Sequence, residues 1–224
     1  MLFGFFMLFS VLAIVADIDQ AYLAGRIDEG KTVSQEELDD SWTLFEAMKS
    51  LQVLAVICIA PLFIWWMQRA VGNLPALGSN GQQFSRGWAI GWWFIPFANL
   101  VQPVRVLLEA WRGSATRSQL EPDDSWNSRP NDPVIVIWWL ACVAGWVASN
   151  FIVSRLDALA LNDPDRMIWG IAASCVDAAL VLLAGLAMAV VVRLTRRQEN
   201  ANQQFDVPSG SVAGPAAAAA QPSW

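Results

Sequence analysis

The 224-residue chain has no histidine and only three cysteines, Cys58, Cys142 and Cys175. All three cysteines fall inside apolar runs, so they form no disulfide framework in the loops and say nothing of the redox compartment. Without histidine and without a cysteine cluster, the usual zinc sites are excluded, as are catalytic triads that use histidine as base. Charge is scarce as well: 15% of residues are charged, against about a quarter in soluble domains. There is no basic patch for nucleic acid to grip. No metal site, cofactor or catalytic residue is assigned from the sequence, although a cation site among the acidic residues at the outer ends of the spans stays open.

Apolar residues take the place of charge, at 55% of the chain with mean hydropathy +0.39. They come in blocks rather than at surface-and-core spacing, which predicts an all-α membrane protein of several spans. Four blocks qualify, at about 2–24, 44–68, 134–155 and 166–192. In the first, Leu2–Ala16 is uninterrupted, which would also suit a signal peptide cut after Ala16. No basic residues precede it, however, and Ser10, Ala13, Asp17, Ala21 and Ala24 continue at helical spacing past that point. The second block opens on a capping box, Ser34 to Glu37, followed by Leu38, Trp42 and Phe45 on one face. It predicts a helix of about 33 residues, about 50 Å long at 1.5 Å per residue, with a kink at Pro61. Asp132-Pro133 and Asp163-Pro164 supply start signals for the third and fourth blocks, and the short connection between them predicts an antiparallel pair.

Orientation follows from basic residues. Arg69, Arg86, Arg105, Arg112, Arg117 and Arg129 lie between the second and third blocks, and Arg193, Arg196 and Arg197 follow the fourth. Only Arg26, Lys31, Arg155 and Arg166 fall on the opposite side. Both termini and the middle loop are thus expected in the cytoplasm, with the acidic 28–46 run outside. Residues 1–197 would form one four-span domain, and the Gln/Asn- and Ala-rich 198–224 a disordered cytoplasmic tail.

The stretch GWAIGWWFIPFANL, residues 87–100, has no charge and is shorter than the about 20 residues a crossing helix needs. Crossing would also move the last arginines outside. It is expected to lie on the cytoplasmic interface, or to re-enter with its break at Pro96 and Asn99, which only protein or water could satisfy. Pro103 then starts a helix with Val104, Leu107, Leu108 and Trp111 on its apolar face and Arg105, Glu109 and Arg112 on its polar face. Trp65, Trp66, Trp88, Trp92, Trp93, Trp111, Trp138 and Trp139 would all gather at this boundary, where indole finds both lipid and water.

Arg69-Ala70, Asn73 to Gly78, Phe84-Ser85, Gly87 to Leu100, Pro103 and Glu109-x-Trp111-Arg112 together resemble a bacterial membrane family catalogued as a domain of unknown function, number 4328. The resemblance covers most of the chain, the tail excepted. It implies four hydrophobic helices with a tryptophan-rich interfacial or re-entrant amphipathic segment, 84–113, between the second and third. It supplies no activity, substrate or catalytic residue. Its motif residues here are Arg69, Asn73, Gly87, Trp88, Gly91, Trp92, Trp93, Pro96, Asn99, Pro103, Trp111 and Arg112. Arg86 stands where the family usually has proline, and Val104-Arg105 where it has Tyr-Gln. Residues ahead of the first span are usual in the family, which leaves open whether Met1 is the natural start.

Polar groups at bilayer depth are costly and call for an explanation. Asp177 falls near the middle of the fourth span, sharing a face with Gly170, Ser174, Ala178 and Gly185. The third span offers Ala141, Gly145 and Ser149 at matching spacing, which predicts close approach and places Asp177 by Gly145 and Ser149. Asp17, with Asp19 and Gln20, lies nearer the outer surface at the depth of Lys49 and Gln52, where an ion pair or a solvated rim is expected. Asp17, Ser149 and Asp177 are the candidate intramembrane polar site. The expected function is a non-enzymatic protein of the bacterial inner membrane, a scaffold or interaction protein. Its partners would be the lipid bilayer and other membrane proteins or a second copy. The alternatives are a small transporter or channel using Asp177 and Asp17, and a lipid-modifying enzyme near Arg69, Arg86, Asn99, Glu109 and Arg112, where no nucleophile–base pair is visible.

Overall fold

The computed structural model describes residues 2–79, 81–114, 128–159 and 166–206. Among them the chain is all helical: α1 (Leu2–Asp28), α2 (Gln35–Gly72), α3 (Arg86–Gly91), α4 (Gln102–Gly113), α5 (Pro133–Leu159) and α6 (Arg166–Asp206). By length and composition, three helices could cross a membrane: α1, α2 and the Ile171–Gln203 stretch of α6. Within α5, Pro133–Ala148 forms a shorter apolar stretch.

The start of α2 is fixed locally. Glu37 N donates to Ser34 Oγ at 3.1 Å and Ser34 N donates to Glu37 Oε2 at 2.9 Å, satisfying two donors that the first turn would otherwise leave open. Arg26 reaches Glu37 Oε1 at 3.0 Å, tying the end of α1 to that cap. These contacts lower the Glu37 pKa, first through the Ser34 backbone N–H and then through Arg26. The helix then continues through Pro61 for 38 residues, about 57 Å at 1.5 Å per residue. That exceeds a hydrocarbon core of about 30 Å, so its acidic first turns extend past the apolar run.

The most extensive helix packing joins α1 to α6. Ser10, Ala13, Ala16 and Asp17 on α1 are buried, as are Asp177, Ala184, Ala187 and Val190 on α6. The sequence expectation that α5 and α6 form the close small-residue pair is corrected here. Ala178 is exposed, and a Cβ added at Gly145 would meet Leu183, at 3.7 Å, rather than Asp177. Small residues at helical spacing license close approach without naming the partner, and α1 carries the same pattern.

Two other expectations change. α6 runs on to Asp206, so 198–206 continue the helix instead of beginning a disordered tail; 207–224 lie outside the described residues. On α4 the buried set is Pro103, Val106, Leu107, Glu109, Ala110 and Gly113, so Glu109 leaves the polar face assigned to it. The cause is the loop after α2, which folds back over α4. A Cβ at Gly113 would sit 3.1 Å from Leu74 Cδ2, and Ser79 Oγ donates to the Gly113 carbonyl at 2.6 Å.

Candidate functional site

A polar cluster lies between α1, α2 and α6. Lys49 Nζ donates to Asp177 Oδ2 at 2.6 Å and to Asp17 Oδ2 at 3.2 Å. One turn along α2, Gln52 Nε2 donates to Asp177 Oδ1 at 3.0 Å and to Ser10 Oγ at 3.2 Å. Ser10, Asp17, Gln52 and Asp177 are buried, while Lys49 keeps 31% of its side chain exposed. A lone carboxylate in hydrocarbon would be expelled or neutralised; here each carboxylate faces an ammonium and Asp177 also takes an amide. Nearby, Ser41 Oγ donates to Asp19 Oδ2 at 2.5 Å.

The ion pair expected of Asp17 at the depth of Lys49 is present; Lys49, outside the candidate site read from the sequence, also brings in Asp177, which was expected beside Gly145 and Ser149. The missed signal is the pairing of Lys49 with Gln52 three residues on, which puts two donors on one helix face. Ser149 lies in α5 with its side chain outside the described residues; the partners of Asp177 come from α2, not α5.

One turn along each helix from the polar cluster, the side chains are apolar. Phe6 follows Ser10 on α1, Val56 follows Gln52 on α2 and Leu180 follows Asp177 on α6, and all three line a cavity of 680 Å³. α5 and residues of the 93–100 segment, Asn99 among them, also line it. This segment is a break between two helical pieces. α3 passes into a 3₁₀ turn at Trp92–Phe94, then Ile95-Pro96-Phe97, then a second 3₁₀ turn at Ala98–Leu100 that leads into α4. Ala98 N donates to the Pro96 carbonyl at 2.7 Å across Phe97, which stands at φ 62°, ψ −39°. That is a γ-turn, a strained conformation for a residue with a Cβ.

Indoles hold this break. Trp139 Nε1 donates to the Leu100 carbonyl at 2.9 Å. The Trp93 ring meets Phe63 edge-on at 6.1 Å and Trp139 at 5.9 Å. Trp88 stacks on Trp92 at 4.6 Å, over Gly91, where a Cβ would lie 3.1 Å from the Trp88 ring. Phe94 and Phe97 are 75% and 84% exposed, so the apex presents bare aromatic surface. Gly87 is exposed on α3 and Pro103 is buried at the start of α4.

Other motif residues gather at the end of α6. Asn73 donates to Gln198 Oε1 at 3.2 Å, and Gln198 Nε2 donates to the Ala70 carbonyl at 2.8 Å and to Ser114 Oγ at 3.0 Å. Arg197 lies 4.4 Å over the Trp111 ring and donates to the Trp111 carbonyl at 3.0 Å. Arg193 pairs at 2.7 Å with Asp132, whose other oxygen accepts Val134 N–H and caps α5. Arg112 Nε donates to the Leu108 carbonyl, and Arg69 lies 5.1 Å over Trp65. Buried Glu109 accepts Phe84 N–H at 3.2 Å; burial raises its pKa, opposed by the N–H groups of Phe84 and Gln83 and by Arg112 and Arg105. Arg86 lies across Gly72, where a Cβ would come within 2.5 Å of its Nε, and Arg105 sits 5.6 Å over the Phe84 ring.

Among the described residues no group of three His, Cys, Asp or Glu side chains could hold a metal ion. Comparison with curated proteins and with solved structures returns no match. A family model described as Domain of unknown function (DUF4328) matches residues 29–197, so the chain belongs to that family.

Proposed function

We propose that the chain is a four-span integral membrane protein of the bacterial inner membrane that acts as a non-enzymatic scaffold. α1, α2, α5 and α6 are the spans, both termini face the cytoplasm, and 86–113 enters and leaves on the cytoplasmic side. The carrying observation is the apolar turn directly inward of the Lys49 cluster, where Phe6, Val56 and Leu180 line the cavity. An ion leaving Asp17 or Asp177 toward the cytoplasm would meet hydrocarbon side chains, so the cluster reads as a clamp between helices rather than a station on a path. The Trp139–Leu100 bond supports the re-entrant reading, because it fastens the returning arm six residues inside α5, about 9 Å from that helix's start. Partners on this reading are lipid and other membrane proteins or a second copy, met at the exposed aromatic apex.

Two measurements test it. In a variant whose native cysteines are replaced, cysteines at Ala76 and Glu199 should react with an impermeant thiol reagent only from the cytoplasm, and one at Gln35 only from outside. Reaction of Ala76 and Glu199 from opposite sides would defeat the four-span arrangement. The two buried carboxylates favour transport as a second reading. Proton or cation flux in liposomes that is present in the native chain and lost in Asp177→Asn would put transport in place of the scaffold; no flux in either form removes it.

A further inference from the structure

The Lys49 clamp leaves one formal negative charge unanswered, since two carboxylates share a single ammonium. Lys49 holds Asp17 through Oδ2 alone. Asp17 Oδ1 has no hydrogen-bond partner, in a side chain that is 0% exposed. A buried, unpartnered carboxylate oxygen is costly to keep.

Asp17 also forms part of the wall of a second cavity, of 540 Å³, between the later turns of α1 and the first turns of α2. Gln20, Asp39, Trp42 and Phe45 line it too, with aliphatic side chains between them. The chemistry of these walls selects a ligand. Hard metal ions want six or more clustered oxygens, and no such group gathers here among the described residues. The space is also far larger than a bare ion. Trp42 and Phe45 stack at 5.5 Å, and Phe45 already presents its face to an ammonium, Lys49, at 5.3 Å. Aromatic faces beside carboxylates suit an organic cation.

We propose that this cavity binds a primary alkylammonium with an apolar body. The head meets an Asp39 oxygen and the Gln20 side-chain carbonyl, with the buried Asp17 carboxylate behind the wall as the second negative charge, and the body lies along Trp42 and Phe45. The ammonium supplies the charge that Lys49 cannot. Its source is either a free amine or the headgroup of an ethanolamine lipid, which share the ammonium and its two-carbon arm. The opening of the cavity on the outer side rests on the topology proposed above. The binding does not, because protein in detergent exposes both faces.

The test is calorimetric titration of the full, delipidated chain in detergent with phenethylammonium, and with 2-phenylethanol as its uncharged counterpart. Saturable one-site binding is expected for the amine, weakened about tenfold or more for the alcohol, which lacks the charge-assisted bonds. Asp39→Asn and Trp42→Leu leave the clamp untouched and should each weaken the amine about fivefold; Asp17→Asn, which removes the charge behind the wall, should weaken it as well. Equal affinity for amine and alcohol overturns the proposal. So does unchanged affinity in both Asp39→Asn and Trp42→Leu, and so does the absence of saturable binding, which would mean that a proton alone answers the charge. Repeating the titration in nanodiscs identifies the source. Competition by phosphatidylethanolamine, absent with phosphatidylglycerol alone, assigns the site to the lipid headgroup; equal affinity in both assigns it to a free amine.

Discussion

At Lys49 one ammonium serves two carboxylates, each brought by a different helix. Removing it in Lys49→Met would leave Asp17 and Asp177 facing each other. Breaking a buried pair costs on the order of 3–5 kcal/mol, and the partial exposure of Lys49 puts the expected loss near the lower end. The triple variant Asp17→Asn, Lys49→Met, Asp177→Asn carries more changes yet should unfold at a higher temperature than Lys49→Met in the same detergent. If it does not, charge is not what holds the cluster. Glu109 gives a second residue-level expectation. Burial raises its pKa, so the folded state binds the proton more tightly than the unfolded chain. Stability should therefore fall as pH rises from the ordinary glutamate value of 4.5 through the raised one. Glu109→Gln should remove that slope and still accept Phe84 N–H, whereas Glu109→Leu should destabilise at every pH. Glu37 works with the opposite sign: its pKa is lowered, so its contribution is lost as pH falls below 4.5 through the lower value. The sequence made Glu37 legible, because its partner Ser34 is three residues away. Glu109 was not, because its donor is a backbone N–H 25 residues upstream.

Single elements were legible wherever their signals are local. The Ser34 capping box, the Pro103 start of α4, the Asp132 cap of α5 and the break at Pro96 all depend on neighbours within a few residues. Which helices pair was not legible, because small residues at every fourth position appear on α1, α5 and α6 alike. The same limit hid the extension of α6. Its Gln/Asn-rich end reads as a tail until Gln198 is seen fastened to the Ala70 carbonyl and Ser114, with Ala201 buried. The break at 95–97 is held by one directional bond, from Trp139 to Leu100. Trp139→Phe keeps the ring packing on Trp93 but removes the donor, leaving a carbonyl unpaired at a cost of about 1–3 kcal/mol. The loss should be local, appearing as faster amide hydrogen exchange at residues 98–102 with protection in α2 and α6 unchanged. A uniform loss of protection across the chain would mean that the bond supports the whole bundle instead.

The whole molecule is fastened at two levels with an apolar cavity between them. The Lys49 cluster joins α1, α2 and α6 at one level. At the other, the end of α6 reaches α2 through Gln198, α4 through Arg197 and the start of α5 through Arg193. Between the levels, aromatic rings from α2, α5 and the 93–100 segment line the cavity instead of closing it. This arrangement predicts that loosening the α6 end is felt far from it. A cation over an indole contributes about 0.5–2 kcal/mol and each hydrogen bond about 1 kcal/mol, so the losses from Arg197→Ala and Gln198→Ala would sum to about 5 kcal/mol. Arg196→Ala, exposed on the same turn, should cost almost nothing. Because Arg197 acts on α4 and Gln198 on α2 and Ser114, the two single variants should be less damaging together than their sum if both detach the same cap. Strict additivity in a double-mutant cycle by thermal unfolding would mean that α2 and α4 are held independently, and that α6 does not tie this end of the bundle into one unit.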